Sequence, residues 1–288
     1  MEKADAIAAG LPCWSGPVSP VRLEGGISND NFLVEDGGRK YVVRVNGDVP
    51  EHGVLRINDV NCNRAAAAVG VAPAVIHAEP GAVVIDFIPG RTYGENDVSD
   101  QTNLERILPV LKRTHIEGFR QIRGPVCAFW PFRVCRDYAF FLEENASRHV
   151  GDLPRLRDIN ERLETAVGAF TPVLGHNDLL AANFIDDGEK IWLIDWEHAG
   201  LSNPLFDLAN LSANNGLSKI QDCWLLENYF EQPLDDELQA RFLAMKCASL
   251  LRETMWGMVS EISSSLDIDF AAYTAEYKTR FEAECARL

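Results

Sequence analysis

The stretch GHNDLLAANFIDDGEKIWLIDWEHAG, residues 175–200, decides the fold. It places Asp178 in a polar loop, Asn183 five residues later and Asp195 twelve residues after that. Short apolar segments flank a DDG turn sequence in the middle of this stretch, so residues 183–194 are predicted to form a β-hairpin. The hairpin would hold the polar residues at its open end close together.

Two carboxylates and one amide oxygen that converge at a loop suit a hard cation with oxygen ligands, which describes Mg²⁺. A carboxylate that lies beside the metal can accept the proton of a substrate hydroxyl. These are the parts needed for phosphoryl transfer from ATP, in which positioning and charge neutralisation do most of the catalysis. Each residue alone is more typical of a turn or a strand end. Their joint spacing favours the site.

The pattern HxDxxxxN, followed by an apolar strand and IDxE, resembles the catalytic loop and metal-binding segment of the choline/ethanolamine kinases. These belong to the aminoglycoside phosphotransferase superfamily, so the resemblance implies an α+β, bilobal, protein-kinase-like fold. Its small N-lobe would be rich in β-structure and its larger C-lobe mainly helical. The resemblance further implies that Asp178 is the catalytic base, that Asn183 and Asp195 bind magnesium, and that His176 braces the loop.

Two further residues of this region indicate the branch of the superfamily. Asn177 stands where antibiotic kinases commonly have Gly, and Glu197 follows the Ile-Asp-Trp sequence. Both features are similar to the bacterial choline kinase-like branch, in which we expect Glu197 on the acceptor side. Asp207, in the run NPLFDLANL, matches an acid that the family uses to hold the loop.

Near the N-terminus, EGGISNDNFLV (residues 24–34) resembles the nucleotide loop of the family. Gly25 and Gly26 would let backbone N–H groups approach phosphate, and Ser28 and Asn29 would add donors. An isolated GGxSN run is more typical of an ordinary turn, but its position before a predicted hairpin favours the nucleotide loop.

The strand KYVVRVNG places Arg44 where the resemblance implies a cation that contacts phosphate. A helix acid normally pairs with this cation, and Asp59 is the nearest candidate because Asn61 occupies another position where relatives carry Glu. A surface arginine is the alternative. The hinge VIDFIPGR, residues 84–91, resembles the segment of the family whose backbone meets the adenine edge, which implies this contact for Asp86, Phe87 and Ile88.

The C-terminal part resembles the choline kinase tail, in which aromatic side chains surround a quaternary ammonium. Trp256 matches one such aromatic, and Phe270 and Tyr273 are its predicted neighbours. Glu253 lies one helical turn before Trp256, where animal choline kinases have a second Trp, and its carboxylate favours a primary amine or another cationic alcohol. The alternative is a core Trp256 with Glu253 in solvent or paired with Arg252.

Alternating and helical hydrophobic patterns divide the chain at a Pro-Gly hinge, residues 89–90. We expect a nucleotide-binding lobe over residues 1–88 and a catalytic and substrate-binding lobe over residues 89–288. Strands are predicted at residues 21–24, 31–35, 40–45, 75–78 and 82–87, and helices at residues 57–69, 103–115, 136–149, 156–169, 218–229 and 237–263.

Composition excludes several classes of protein. The 288 residues include 27 Lys and Arg against 43 Asp and Glu, a formal charge of −16, which argues against a nucleic-acid partner. No apolar run approaches the roughly 20 residues that span a bilayer, and the N-terminal stretch does not resemble a signal peptide. We therefore expect a cytoplasmic protein without a membrane partner. Seven cysteines without a CxxC pair argue against a disulfide framework or a zinc site.

The leading hypothesis is an enzyme that uses ATP and Mg²⁺ to phosphorylate a small amino alcohol, choline or ethanolamine. An aminoglycoside, a thiamine-like compound or a sugar is the alternative acceptor. A catalytically silent nucleotide-binding module is an alternative of another class, although Asp178 and Asp195 are both present. The sequence is compatible with a homodimer as well as with a monomer.

Overall fold

The computed structural model describes residues 2–23 and 30–288. A five-stranded antiparallel sheet with the order β1-β2-β3-β5-β4 dominates the N-terminal part. Its strands are β1 (Val21–Arg22), β2 (Asp30–Asp36), β3 (Arg39–Val45), β4 (Val75–Glu79) and β5 (Ala82–Asp86). Helix α1 (Glu2–Ala9) precedes the sheet, and α2 (Arg56–Ala68) connects β3 to β4.

The hairpin of β2 and β3 follows from its turn and its alternation. Gly37 and Gly38 both have positive φ, 57° and 76°, which a two-residue turn between right-twisted strands requires. Phe32, Val34 and Val43 point to one face and are buried, where they pack with apolar residues of α1 and the segment after it. Burial of this face fixes the register of the pair.

The C-terminal part is mainly helical. Its helices are α3 (Gln101–Arg113), α4 (Pro131–Glu144), α5 (Leu153–Val167), α6 (Pro204–Asn215), α7 (Lys219–Phe230), α8 (Asp236–Ser263) and α9 (Phe270–Cys285). Helix α8 is the central element: it packs against α4, α5, α6 and α9 and is buried along most of its length. Within the described ranges, none of the helices combines the length and apolar composition that crossing a membrane requires.

Five short strands position the candidate site. They are β6 (Arg91–Thr92), β7 (Val173–Gly175), β8 (Phe184–Asp186), β9 (Ile191–Leu193) and β10 (Gly200–Ser202). Strand β8 pairs with β6 and β9, and β7 pairs with β10, all antiparallel. The predicted hairpin over residues 183–194 is therefore confirmed. The loop between β7 and β8 lies beside the loop between β9 and β10 as a result.

The predicted hinge contains a close approach of two backbones. A Cβ atom added at Gly90 would lie 2.7 Å from the carbonyl oxygen of Asp186 and 2.7 Å from the side chain of Ile185. Only glycine therefore lets the chain pass β8 at this point. The boundary between residues 88 and 89 stays a prediction.

The predicted α+β class, with a β-rich N-terminal part and a mainly helical C-terminal part, is confirmed. Most predicted elements are present with ends shifted by one to three residues. The helix predicted from residue 136 begins five residues earlier, at Pro131, because proline suits the first turn of a helix. Helices α1, α6 and α9 and strands β6 and β10 were not predicted.

Candidate active site

A buried carboxylate holds the loop between β7 and β8. Asp207, in the first turn of α6, accepts hydrogen bonds from the backbone N–H groups of His176 (2.8 Å) and Asn177 (2.7 Å). Nε2 of His115 lies 2.8 Å from the same carboxylate, and its Nδ1 lies 2.7 Å from the hydroxyl of Tyr229. Burial acts to raise the pKa of Asp207, but the hydrogen bonds, led by that of His115, hold this pKa below its ordinary value.

Removal of this carboxylate is expected to destabilise the fold strongly. In Asp207→Ala, His115 and two backbone N–H groups lose a fully buried acceptor, which lowers the free energy of unfolding by about 3–5 kcal/mol. Urea unfolding followed by tryptophan fluorescence measures the loss. Asp158→Ala is the matched control, because that side chain is 69% exposed and pairs with Arg162 on its own helix; its expected change is below about 0.5 kcal/mol. Equal stability of the two variants would contradict the anchoring role.

The ring of His176 ties this loop to the end of β9. Its Nε2 lies 2.9 Å from the carbonyl oxygen of Ile194, and the ring packs edge-on against Trp196 at 4.8 Å between centroids. Burial lowers the pKa of His176, so a neutral ring donates from Nε2. Asn177 adds a second tie: Nδ2 donates to the carbonyl oxygen of His198 at 3.0 Å. Its φ of 66° suits asparagine better than most side chains.

Asp178 and Asn183 are in contact. Nδ2 of Asn183 lies 2.8 Å from the backbone carbonyl oxygen of Asp178 and 3.2 Å from its Oδ2, because the turn at residues 181–183 folds the loop back. Burial and the negative charge of Glu253 raise the pKa of Asp178 to about 8, against the positive charge of Arg252. The raised pKa makes the ionised form of Asp178 a stronger proton acceptor than an ordinary aspartate.

Asp195 faces Arg44 of β3. Nη2 of Arg44 lies 2.5 Å from Oδ1 of Asp195 and 3.7 Å from Oε2 of Glu197, and its Nη1 lies 3.9 Å from Oδ2 of Asp59. Nη1 of Arg56, on α2, lies 2.9 Å from Oε2 of Glu197 and 3.5 Å from Oδ2 of Asp59. Two guanidinium groups thus face three carboxylates, and the ionised cluster has a net negative charge. Asp195 is its accessible member, with 28% of the side chain exposed against 10% or less for the others.

Asp59, the helix acid predicted to pair with Arg44, lies within ion-pair range, but the nearest partner of Arg44 is Asp195. Asn61 lies elsewhere: its Nδ2 donates to the carbonyl oxygen of Pro125 at 2.9 Å. Glu197, predicted on the acceptor side, is held by Arg56. Its role toward an acceptor stays a prediction.

These side chains fit a magnesium site that is completed by phosphate. Across residues 2–23 and 30–288, no three His, Cys, Asp or Glu side chains converge into a closed metal cage. Mg²⁺ rarely uses such a cage in proteins, because it keeps several waters and is held by one or two carboxylates together with substrate phosphates. The accessible carboxylate of Asp195, the amide of Asn183 and the nearby guanidinium of Arg44 match that pattern.

The predicted nucleotide residues divide into two groups. Gly25, Gly26, Ser28 and Asn29 lie outside the described residues. In the hinge, the carboxylate of Asp86 accepts a hydrogen bond from Arg39 at 2.9 Å, and the N–H of Phe87 donates to the carbonyl oxygen of Lys40 at 3.2 Å. The N–H of Ile88 has no acceptor in the part of the chain that the structure describes. Of Phe87 and Ile88, therefore, Ile88 is the residue whose N–H can donate to a ligand.

The predicted acceptor aromatics lie together. The half-buried indole of Trp256 meets Phe270 at 5.8 Å and Tyr273 at 5.3 Å between ring centroids, both edge-on. The ring of His52 stacks on the same indole at 5.3 Å. Trp256 thus joins an aromatic cluster built from α8, α9 and the segment before α2, which we call the Trp256 cluster.

Glu253 is buried and paired. Its Oε1 accepts a hydrogen bond from Arg252, and its Oε2 accepts one from the hydroxyl of Tyr273 at 3.1 Å. The sequence left open whether Glu253 faces a substrate, lies in solvent or pairs with Arg252, and the structure shows the pairing with Arg252. With 4% of its surface exposed, the carboxylate is not a free acceptor for the N–H groups of a substrate.

Buried amides connect the two parts of the site. The N–H of Leu179 donates to Oδ1 of Asn210 at 2.6 Å, and Nδ2 of Asn210 donates to Oγ of Ser249 at 3.1 Å. Ser249 lies one helical turn before Glu253 on α8. The residue after Asp178 is therefore fixed to the helix that carries Trp256.

Sequence reasoning missed several residues that build this site: His52, Arg56, His115 and Asn210. Only Asn210 gave a local signal, since Asp207 and Asn210 are two polar residues three positions apart in the otherwise apolar first two turns of α6. The partners of His52 and His115 are remote in sequence, so local patterns could not reveal them.

Two surface cavities lie away from this chemistry. One, of about 370 Å³, is lined by residues of α7, α8 and the C-terminus, and the other, of about 430 Å³, by residues around Phe170, Pro204 and Arg241. Neither includes a residue of the 175–200 stretch. We assign the candidate site from its polar geometry.

Comparison with known proteins identifies the family and the fold. The profile of the phosphotransferase enzyme family APH matches residues 20–244. LicA from Haemophilus influenzae is 25% identical over 262 residues, which cover 88% of this chain and 76% of that protein. A thiamine kinase from Escherichia coli is 28% identical over 200 residues, which cover 66% of this chain and 64% of the kinase.

The solved structures include a choline/ethanolamine kinase family protein from Mesorhizobium loti. It matches this chain with a TM-score of 0.77 at 27% sequence identity, over 98% of this chain and 94% of that one. This match confirms the predicted protein-kinase-like fold.

Proposed function

The chain belongs to the phosphotransferase enzyme family, and from that premise we propose that it transfers the terminal phosphate of ATP to the hydroxyl of a small cationic alcohol. One observation carries the proposal: the loop of Asp178 is fixed to α8, which carries the Trp256 cluster. An acceptor whose cation rests against these rings would have its hydroxyl near the carboxylate.

Each polar residue then has a role. Asp178 accepts the proton of the acceptor hydroxyl, and Arg44 binds oxygens of the phosphate chain. Asn183 and Asp195 would hold Mg²⁺, which when bound neutralises phosphate charge. Asp207 and His176 keep the loop in place. The N–H of Ile88 would donate to the adenine edge.

The environment of Glu253 favours choline over ethanolamine. Pairing with Arg252 and Tyr273 occupies the carboxylate, so the aromatic rings remain as the main attraction for a cation. A trimethylammonium group loses less hydration free energy on binding than a primary ammonium group, because the N–H donors of the latter need acceptors in the pocket. We expect kcat/KM for choline to exceed that for ethanolamine about tenfold. Rates of ADP release over a range of acceptor concentrations measure the ratio, and a preference for ethanolamine would contradict it.

Thiamine is a second candidate acceptor, because a relative from Escherichia coli is a thiamine kinase and thiamine is itself a cationic alcohol. The test is incubation with ATP and Mg²⁺ and one of choline, ethanolamine, thiamine or kanamycin, with mass spectrometry of the phosphorylated product. We expect transfer to choline. Transfer to kanamycin, a much larger polycationic sugar, and to none of the other three would overturn the proposal of a small cationic alcohol, and ATP binding without any transfer would favour a silent module.

A further inference from the structure

The side chain of His52 brings the segment between β3 and α2 into contact with the Trp256 cluster. The segment is a closed loop: the backbones of Val49 and Val54 exchange both of their hydrogen bonds, at 2.9 and 3.0 Å, and Pro50–His52 form a single helical turn between them. The imidazole of His52 stacks on Trp256 with 5.3 Å between centroids and 30° between planes. A rigid loop of the N-terminal part therefore presents this ring to α8.

Both ring nitrogens of His52 face hydroxyl groups of the helical part. Nδ1 lies 3.4 Å from the hydroxyl of Tyr138 on α4, and Nε2 lies 3.3 Å from Oγ of Ser260 on α8. Tyr138 also packs perpendicular to the imidazole at 5.8 Å. These contacts fix the plane of the ring from two helices at once.

The imidazole is uncharged at neutral pH. Burial and the positive charge of Arg252 lower the pKa of His52 to about 4, against the negative charge of Glu197. A neutral imidazole can hold the indole in place without repelling a cation, whereas lysine or arginine at this position could not.

We propose that His52 is a positioning residue of the acceptor site, which orients Trp256 and completes the wall of the acceptor pocket from the N-terminal part. This inference rests on the proposed function. Acceptor affinity would then depend on a residue more than 120 positions before the catalytic loop. The loop that carries His52 also directly precedes Arg56 of the carboxylate cluster, so the pocket wall and the phosphate side are connected by one short segment.

The test compares His52→Ala, His52→Phe and the control His77→Ala, a histidine of β4 that pairs with Glu79 near the surface. Calorimetry gives the Kd for choline, and steady-state assays give KM for choline and for ATP. In His52→Ala we expect Kd and KM for choline to rise about three- to tenfold, with KM for ATP and kcat within about twofold of the parent. His52→Phe keeps the stacked ring and should recover most of the choline affinity, and His77→Ala should match the parent.

The outcomes separate this inference from the proposed function. A parent protein that phosphorylates choline, with an unchanged choline KM in His52→Ala, would overturn the inference alone. A parallel rise of KM for choline and for ATP would also overturn it, since that result indicates a general structural role. If His52→Ala unfolds, His52→Phe decides the question by comparison with Trp256→Ala. Because phenylalanine keeps the stacked ring, a loss of choline affinity as large as in Trp256→Ala would contradict the positioning role. A parent protein that transfers phosphate to no cationic alcohol would overturn both.

Discussion

Replacement of Asp178 by asparagine is expected to lower kcat by about 10²- to 10⁴-fold while KM for ATP stays within about twofold. An amide has nearly the same shape as the carboxylate and cannot accept the proton of the acceptor hydroxyl. The contact with Asn183 is expected to persist, because the backbone carbonyl oxygen of Asp178 supplies the shorter of its two hydrogen bonds. Binding of ATP and the shape of the loop should therefore survive.

The measurement is single-turnover transfer from ATP to choline, combined with equilibrium binding of ATP. Glu189→Gln is the matched control: it makes the same chemical change at an exposed position, eleven residues later at the tip of the β8–β9 hairpin. Its rate should equal that of the parent. An unaltered transfer rate in Asp178→Asn would exclude Asp178 as the base. A large loss of ATP affinity would instead indicate that Asp178 binds the metal or the nucleotide.

The elements that the sequence predicted well have strong local signals. The β2–β3 hairpin follows from its alternation and its two glycines, and α3 and α5 follow from their helical periodicity. The loop and hairpin of residues 175–200 follow from turn residues between short apolar segments. These patterns depend on neighbours in sequence, so the physical cause of each element is visible in the chain itself.

The missed elements depend on remote partners. Strands β6 and β10 have two and three residues and exist through pairing with β8 and β7. Helix α6 did have local signals, since Asn203 caps it and Pro204 occupies its first position, but its mixed composition hid them.

The candidate site shows the same division. Local spacing was sufficient to bring Asp178 and Asn183 together, since five residues separate them. The distribution of charge around Arg44 was not predictable, because its nearest partner, Asp195, is 151 residues away in sequence. Glu253 illustrates the opposite case: its neighbour Arg252 was visible, but only the burial of both side chains selects their pairing over exposure to solvent.

Replacement of Asp195 by asparagine is expected to remove the magnesium-dependent part of ATP affinity. Changes outside the ligand sphere of a metal typically cost about 10- to 100-fold in affinity, so loss of a direct carboxylate ligand should cost about 100-fold or more. Asparagine is the informative substitution because Asp195 has a φ of 68°, a conformation that asparagine tolerates and alanine does not without strain. The effect then reports the lost charge and not a rearranged backbone.

The measurement is ATP binding by calorimetry at several Mg²⁺ concentrations, including none. The parent should bind ATP more tightly as Mg²⁺ rises, and Asp195→Asn should lose this dependence. Loss of the carboxylate also leaves Arg44 with one fewer negative partner, so ATP binding without Mg²⁺ should be unchanged or tighter. This opposite response separates loss of a metal ligand from damage to the nucleotide site, which would weaken binding at every Mg²⁺ concentration. A preserved Mg²⁺ dependence in Asp195→Asn would assign the metal to other residues.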